Sequence, residues 1–268
     1  MPREAHSGTA WHGNSGVPES TEGEIFYLTD FIRGVTPLFV IRLLRKLERV
    51  LDPHGRLSYG QEGEDLVLLR LFDRRESGFF VDVGAHHPVR FSNTWVFYQR
   101  GWRGINIEPN PQAMELFKQW RPGDINLAIG IDEHSTTQRY FEFDDPALNT
   151  YDEAVAVQRQ HTDGYRLIRS TMQELRRLDE VLAEHLPAGQ KIDFLSVDAE
   201  GLDFQVISSN DWSRFRPACV LIEVLRSTLE NLGANETHQY VTQQGYVLFA
   251  KTGNTCVYLD RKLWPDLH

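Results

Sequence analysis

The sequence predicts an α/β protein: a doubly wound, Rossmann-like sheet that ends in an antiparallel hairpin, with a helical N-terminal extension. Three observations predict it. Short, almost wholly apolar runs such as Phe79 to Val83, set between Gly78 and Gly84, have the look of central parallel strands buried on both faces. Helix-like segments alternate with these runs through short connections, as β-α-β units require. Near the C-terminus, Tyr246 to Lys251 and Thr255 to Asp260 flank Thr252-Gly253-Asn254, a hairpin signal.

In chain order, residues 1–24 are rich in Gly, Ser, Thr, Glu and Pro without an apolar period and read as a flexible leader. Residues 25–57 read as an amphipathic helical extension. Val40, Leu43, Leu44, Leu47, Val50 and Leu51 fall on one helix face, and Arg42, Arg45, Lys46 and Arg49 on the opposite one. Such a helix either docks on the main domain with its charges in water or makes a peripheral contact with an anionic membrane through residues 38–51; docking is the favoured reading.

The main domain is expected over 58–268. Phe79 to Val83, Gly104 to Glu108 and Asp124 to Ile129 read as its first three strands, with helices over Phe91 to Arg100 and Pro111 to Trp120. Pro111 suits the first helical position and Asn110 the cap before it. Ile192 to Val197 and Ala218 to Val224 read as two further strands around a helix at Asp203 to Asn210, and a last helix at Glu236 to Gln244 precedes the hairpin. Between strands three and four, about 132–186 is an insertion with a strand at Thr137 to Phe143 and helices at Tyr151 to Gln160 and Leu175 to Leu186. An insertion there would cover the carboxyl ends of the strands, where such sheets bind ligands, so it is expected to act as a substrate lid.

Composition excludes several classes. The chain has 268 residues, 41% hydrophobic and 11% aromatic, enough for one sizeable core plus an extension. With 28 basic against 38 acidic residues the net charge is −10, the wrong sign for a protein held to nucleic acid by its overall charge. Cys219 and Cys256 are too few for a disulfide framework, no secretory signal pattern opens the chain, and no apolar stretch near the N-terminus approaches the roughly 20 residues of a membrane span. The cytoplasm is the expected compartment. The histidines show no His-x3-His spacing, and no structural zinc is expected.

The first informative motif is VDVGAHHP, Val81 to Pro88, where a buried strand runs into a turn. Gly84 would let the backbone approach a ligand closely, and the N–H groups of the turn could bind a carboxylate or phosphate. The three-glycine dinucleotide fingerprint is absent. Glu108 lies 24 residues beyond Gly84, about the separation at which a carboxylate on the second strand receives ribose hydroxyls in doubly wound nucleoside sites.

Further blocks sharpen this. SYGQEGEDL (Ser58 to Leu66), FVDVGAHHPVRFSNT (Phe80 to Thr94), GWRGINIEPNP (Gly101 to Pro111), DFLSVDAEGLD (Asp193 to Asp203) and FAKTGNTCVYLD (Phe249 to Asp260) occur in that order. With them the chain resembles the FkbM family of S-adenosylmethionine-dependent methyltransferases over roughly 58–261. The glycine turn and the acid do not separate NAD from S-adenosylmethionine; the C-terminal hairpin is the feature that separates them, in favour of S-adenosylmethionine. The resemblance implies a class I methyltransferase sheet, the methionine part of the cofactor at the Asp82-Val83-Gly84-Ala85 turn, and its ribose at Glu108. It also implies that Tyr59, Gln61 and Asp65 close over the cofactor and that His86, Asn93 and Asp198 belong to the same site. Many family members carry Asn and Gly where this chain has His86 and His87.

Methyl transfer to oxygen is an in-line displacement at a sulfonium, which needs an oriented acceptor and a route for its proton. His87 is the best base by unperturbed pKa, with Asp198 or Glu200 an alternative base or hydroxyl anchor. On the other reading, His86 and His87 only brace the turn and Asp198 only bonds backbone N–H groups. Asp198 with Glu223, at the ends of adjacent strands, could instead offer oxygen ligands to Mg²⁺. The resemblance implies an O-methyltransferase acting on a sugar hydroxyl of a glycan, nucleotide-sugar or glycosylated natural product. The alternatives are an N- or O-methyltransferase of a small secondary metabolite and a non-catalytic Rossmann-like module of a glycan-assembly complex.

Overall fold

A computed structural model of the protein describes residues 55–144, 148–161, 165–199, 201–225 and 227–264. The leader, the amphipathic segment with its basic face at Arg42, Arg45, Lys46 and Arg49, and Glu200 lie outside the described residues. All elements below belong to one unit, Ser58–His268.

In order these are α1 (Glu64–Leu71), β1 (Phe79–Val83), α2 (Trp95–Gln99), β2 (Arg103–Ile107), α3 (Pro111–Trp120), β3 (Ile125–Leu127), β4 (Gly130–Ile131) and β5 (Thr136–Phe143). There follow α4 (Glu153–Gln160), β6 (Leu167–Arg176), α5 (Leu178–His185), β7 (Phe194–Val197), α6 (Asp203–Ser208), β8 (Cys219–Glu223), α7 (Glu236–Gln243), β9 (Tyr246–Lys251) and β10 (Thr255–Asp260). Seven strands form one sheet in the order β3-β2-β1-β7-β8-β10-β9. The first five run parallel, whereas β10 is antiparallel to both β8 and β9. The fold is therefore mixed α/β with a mostly parallel central sheet. Its strand order reverses between β1 and β7, the switch point beside which such sheets bind ligands.

Alternation along the strands explains the layers. Every residue of β1 is buried. Phe79, Val81 and Val83 join one cluster with Leu178, Val181, Val206 and Val241 of α5, α6 and α7. Phe80, pointing the other way, joins Leu68 of α1, Phe97 of α2, Trp102 and Phe194. A strand apolar on both faces needs cover on both, and each fully buried Phe or Leu contributes roughly 1.5–3 kcal/mol. Cys219 and Cys256 sit on adjacent strands but pair with Leu259 and Ile222 and face opposite clusters, so they pack as free thiols.

The helix α3 starts where its caps place it: Asn110 accepts from Gln112 N at 2.9 Å and Ala113 N at 3.4 Å, and Pro111 follows. Two expectations fail. The helix expected from Phe91 begins only at Trp95, because Phe91 takes φ +56° and Ser92 Oγ accepts from Trp95 N. The helix expected from Leu175 begins at Leu178. Leu175 instead ends β6, pairing with Thr136 of β5, and that ladder with β4 makes a second, three-stranded sheet. Leu175, Leu178 and Leu182 have helical spacing, but Leu175 is buried from the strand side. Among the described residues no helix is long and apolar enough to cross a membrane.

Candidate active site

Gly84 follows β1 with φ +76°, and a Cβ on it would stand 1.7 Å from the carbonyl oxygen of Asp198. The close approach expected toward a ligand is thus an approach of the chain to itself, beside the bond from Asp198 N to Val83 O at 2.9 Å. The expected N–H grip is also absent. Gly84 N and Ala85 N donate to Ile107 O (2.9 and 3.1 Å), His86 N to Glu108 Oε2 (3.0 Å) and His87 N to Ala85 O (2.6 Å). Val89 N and Arg90 N donate to His87 Nδ1, each at 3.0 Å, and Pro88 has no N–H. The turn folds onto β2 and onto its own histidine, which leaves none of these groups for an anion.

That geometry corrects the role of His87 as a base. With Nδ1 accepting two N–H bonds, the neutral ring carries its proton on Nε2, which can then donate but not accept. Burial, and then the charge of Arg90, hold its pKa below the ordinary value. His87 braces the turn. His86 occupies the left-handed region at φ +53°, where Asn, Asp and His are better tolerated than most residues.

Glu108 directly follows β2 and is 7% exposed; Oε2 accepts from His86 N and Oε1 from Asn110 N at 2.9 Å. Two backbone donors fix the carboxylate at the carboxyl end of β2. Tyr140 and Tyr151 of the inserted region lie within electrostatic reach of it; burial first, and then that charge, raise both phenols above their usual pKa.

Asp82 is corrected as well. It lies inside β1, 5% exposed, and accepts from Thr94 Oγ1 at 2.7 Å, while Arg121 Nη1 donates to the same hydroxyl at 2.9 Å. Arg121 is itself fully buried and paired with Asp124 at 2.9 Å. Burial raises the Asp82 pKa against the pull of Thr94 and Arg121. Asp82 is a strut behind the site, since a carboxylate committed inward cannot also reach a ligand. Asp65 plays a similar part: fully buried, it accepts from Ser58 Oγ (2.6 Å), Tyr59 N (2.7 Å) and Leu66 N (2.9 Å), closing the loop that places Tyr59 against Trp95.

Gln61, Phe91, Asn93, Asp198, Glu223 and Asn254 line a cleft of about 380 Å³, its open mouth included. Asn93 Nδ2 donates to Ser196 Oγ at 3.3 Å, while its Oδ1 is buried without a protein partner. Asp198 is exposed to the cleft. Its loop is held by Asp203, which accepts from Ala199 N (3.0 Å) and Gly201 N (3.2 Å). Sequence reasoning missed Asp203, and it missed Glu62 and Glu64. Glu62 Oε2 accepts from Asn254 N at 2.8 Å and Glu64 Oε1 from Thr252 Oγ1 at 3.3 Å, tying the first block to the turn between β9 and β10. Both blocks stood out in the sequence, but nothing local said that they meet. Asp198 and Glu223 share the cleft, yet among the described residues no group of three or more His, Cys, Asp or Glu stands ready to hold a metal.

A mostly parallel sheet with a buried carboxylate after its second strand and a cleft beside the switch point defines a doubly wound α/β protein whose cleft lies where such sheets bind ligands. The methyltransferase FkbM domain matches residues 82–248, and the chain belongs to that family of methyltransferases. No curated protein matches the chain.

Proposed function

We propose that the chain is a class I, S-adenosylmethionine-dependent O-methyltransferase of the cytoplasm, acting on a sugar hydroxyl of a glycan, nucleotide-sugar or glycosylated natural product. The observation that carries it is the cleft of Asn93 and Asp198 at the switch point, with the Glu108 carboxylate held just after the neighbouring strand β2, in a chain of this family. The cofactor suits the residues present. Its ribose hydroxyls and ammonium are donors, and the site offers acceptors: the fixed Glu108 carboxylate and the orphan Asn93 Oδ1. Because the Gly84 turn has committed its N–H groups, the cofactor's carboxylate would take its donor from the amide of Gln61, which lines the cleft.

When bound, S-adenosylmethionine supplies an electrophilic methyl group on a sulfonium. Asp198 then orients the acceptor hydroxyl by accepting its hydrogen bond and takes the proton as the oxygen acquires positive charge. An oxygen that is forming its third bond is strongly acidic, so an ordinary carboxylate suffices as acceptor of that proton. Asp203 keeps the Asp198 loop in place.

Calorimetric titration with S-adenosylmethionine and S-adenosylhomocysteine tests the cofactor, with binding of both expected; binding of neither would overturn the proposal. Mass spectrometry of glycans from cells with and without the gene tests the acceptor. A glycan one CH₂ lighter without the gene is expected, and identical glycans with an altered small metabolite would move the reading to the alternative substrate.

A further inference from the structure

We propose that Phe91 is the platform on which the acceptor sugar stacks, and that the cleft selects an uncharged, polyhydroxylated acceptor over an anionic one. This rests on the sugar reading above and adds to it a residue and a charge rule. Phe91 is 45% exposed while it lines the cleft, and its φ of +56° is a left-handed backbone that a bulky aromatic residue rarely adopts. Packing does not explain it, since so exposed a ring anchors no core. The Arg90 guanidinium lies 4.4 Å from the ring centroid and fixes the ring without being part of the cleft lining.

The groups facing Phe91 match one chemistry. A pyranose has an apolar face of C–H bonds and an edge of hydroxyls. The negative face of an aromatic ring attracts such C–H groups. Asn254 brings an amide donor and acceptor, and Asp198 and Glu223 bring acceptor pairs, as an edge of hydroxyls requires. Glu62 and Glu64 add two more carboxylates to the lining, and among the described residues that line the cleft none is Arg, Lys or His. A phosphate or uronate near the methylated hydroxyl would enter against like charge, whereas an uncharged glycoside would not.

The test uses the full chain saturated with S-adenosylhomocysteine and saturation-transfer NMR with methyl glycosides of common hexoses, the corresponding uronates, and amino sugars. Methylation kinetics accompany it. Uncharged glycosides should bind and uronates should not. Phe91→Asn removes the ring but suits the left-handed backbone, so it should melt no lower than wild type. It should raise KM for the best uncharged glycoside by about three- to tenfold, with kcat and cofactor affinity unchanged. Phe91→Tyr should restore KM. Equal glycoside binding by wild type and Phe91→Asn, or a loss of cofactor affinity in the variant, would overturn the platform. Uronates binding as well as or better than uncharged glycosides, or amino sugars, cationic at neutral pH, binding no better than uronates, would overturn the charge rule. If the cofactor product binds but no sugar of any charge does, the sugar reading itself falls.

Discussion

The carbonyl oxygen of Asp198 fills the space that a side chain on Gly84 would need, 1.7 Å from where its Cβ would stand. The loop that carries the cleft carboxylate therefore interlocks with the turn that carries His86 toward Glu108. Gly84→Ala cannot be relieved by a side-chain rotation, because the obstacle is backbone, and φ +76° adds strain. A loss on the order of 2–4 kcal/mol is expected, with a melting temperature lower by roughly 10 °C in calorimetry. A variant that melts like wild type would show that the two loops are not locked.

His87 supports the turn only while neutral. Its folded pKa lies below the ordinary 6.5, chiefly through burial, so the folded chain binds fewer protons than the unfolded one in that range. Its contribution is complete above pH 6.5 and is lost as the pH falls through the folded value. His87→Asn should flatten the fall in melting temperature below pH 6.5 while leaving the shape of the pH profile of turnover unchanged. Disappearance of one limb of that profile would return His87 to the role of base.

How much of this was legible in the sequence follows from the range of each interaction. β1, β2 and α3 could be read because their signals are local: strands apolar on both faces, and Asn110-Pro111 at the helix start. The strand β6 was not, because exposed Ile168 and Met172 leave it only a half-buried pattern beside a stretch of helical leucine spacing. Asp82, Glu108 and Asp198 were visible as chemistry, but not the partners that sort them. Thr94 and Arg121 take Asp82 inward, and His86 and Asn110 fix Glu108. Glu62 reaches Asn254 across 192 residues, a pairing that only the closed sheet brings about.

Glu108 and Asp82 make a matched comparison, since both are buried carboxylates toward the sheet's carboxyl edge but only Glu108 belongs to the proposed cofactor site. Glu108→Gln should weaken S-adenosylhomocysteine binding by roughly 1.5–3 kcal/mol, the worth of hydrogen bonds to a charged group. Thr94→Val, which breaks the Asp82 strut, should lower stability and leave affinity within a few-fold. Calorimetric titration separates them, and equal affinity of Glu108→Gln and wild type would remove Glu108 from the site. Abolition of turnover by EDTA and its rescue by Mg²⁺ would recast Asp198 and Glu223 as metal ligands.

Asp260 makes the fold acid-sensitive far from the cleft. Burial raises its pKa, but the fork of Arg216 Nε and Nη2 at 2.7 and 2.8 Å, with Lys262 N, outweighs that and leaves it below 3.8. The stabilisation is full above pH 3.8 and is lost as the pH falls through the folded value. Asp260→Asn should cost about 1.5–3 kcal/mol at pH 7 in guanidinium unfolding, and the gap from wild type should narrow toward pH 3. A gap independent of pH would mean that shape rather than charge matters there.

Tyr151 poses the opposite case, a polar group whose removal should help. Its hydroxyl is buried without a hydrogen-bond partner, pressed so close to Gly130 that a Cβ there would stand 2.5 Å away, and its ring lies 4.8 Å from that of Tyr140. Burial, with the charges of Glu108 and Asp132, raises its pKa and keeps the phenol neutral, so the cost is that of an unmet hydrogen bond rather than of a charge. Tyr151→Phe removes only that oxygen and keeps the ring packed at a tilt against Tyr140. A gain of about 1 kcal/mol, or about 2–4 °C in melting temperature, is expected. The same measurement with S-adenosylhomocysteine present should show the same increment. If the variant instead gains stability alone but loses the added protection the nucleoside gives to wild type, the hydroxyl is kept for the ligand beside Glu108 and not merely stranded.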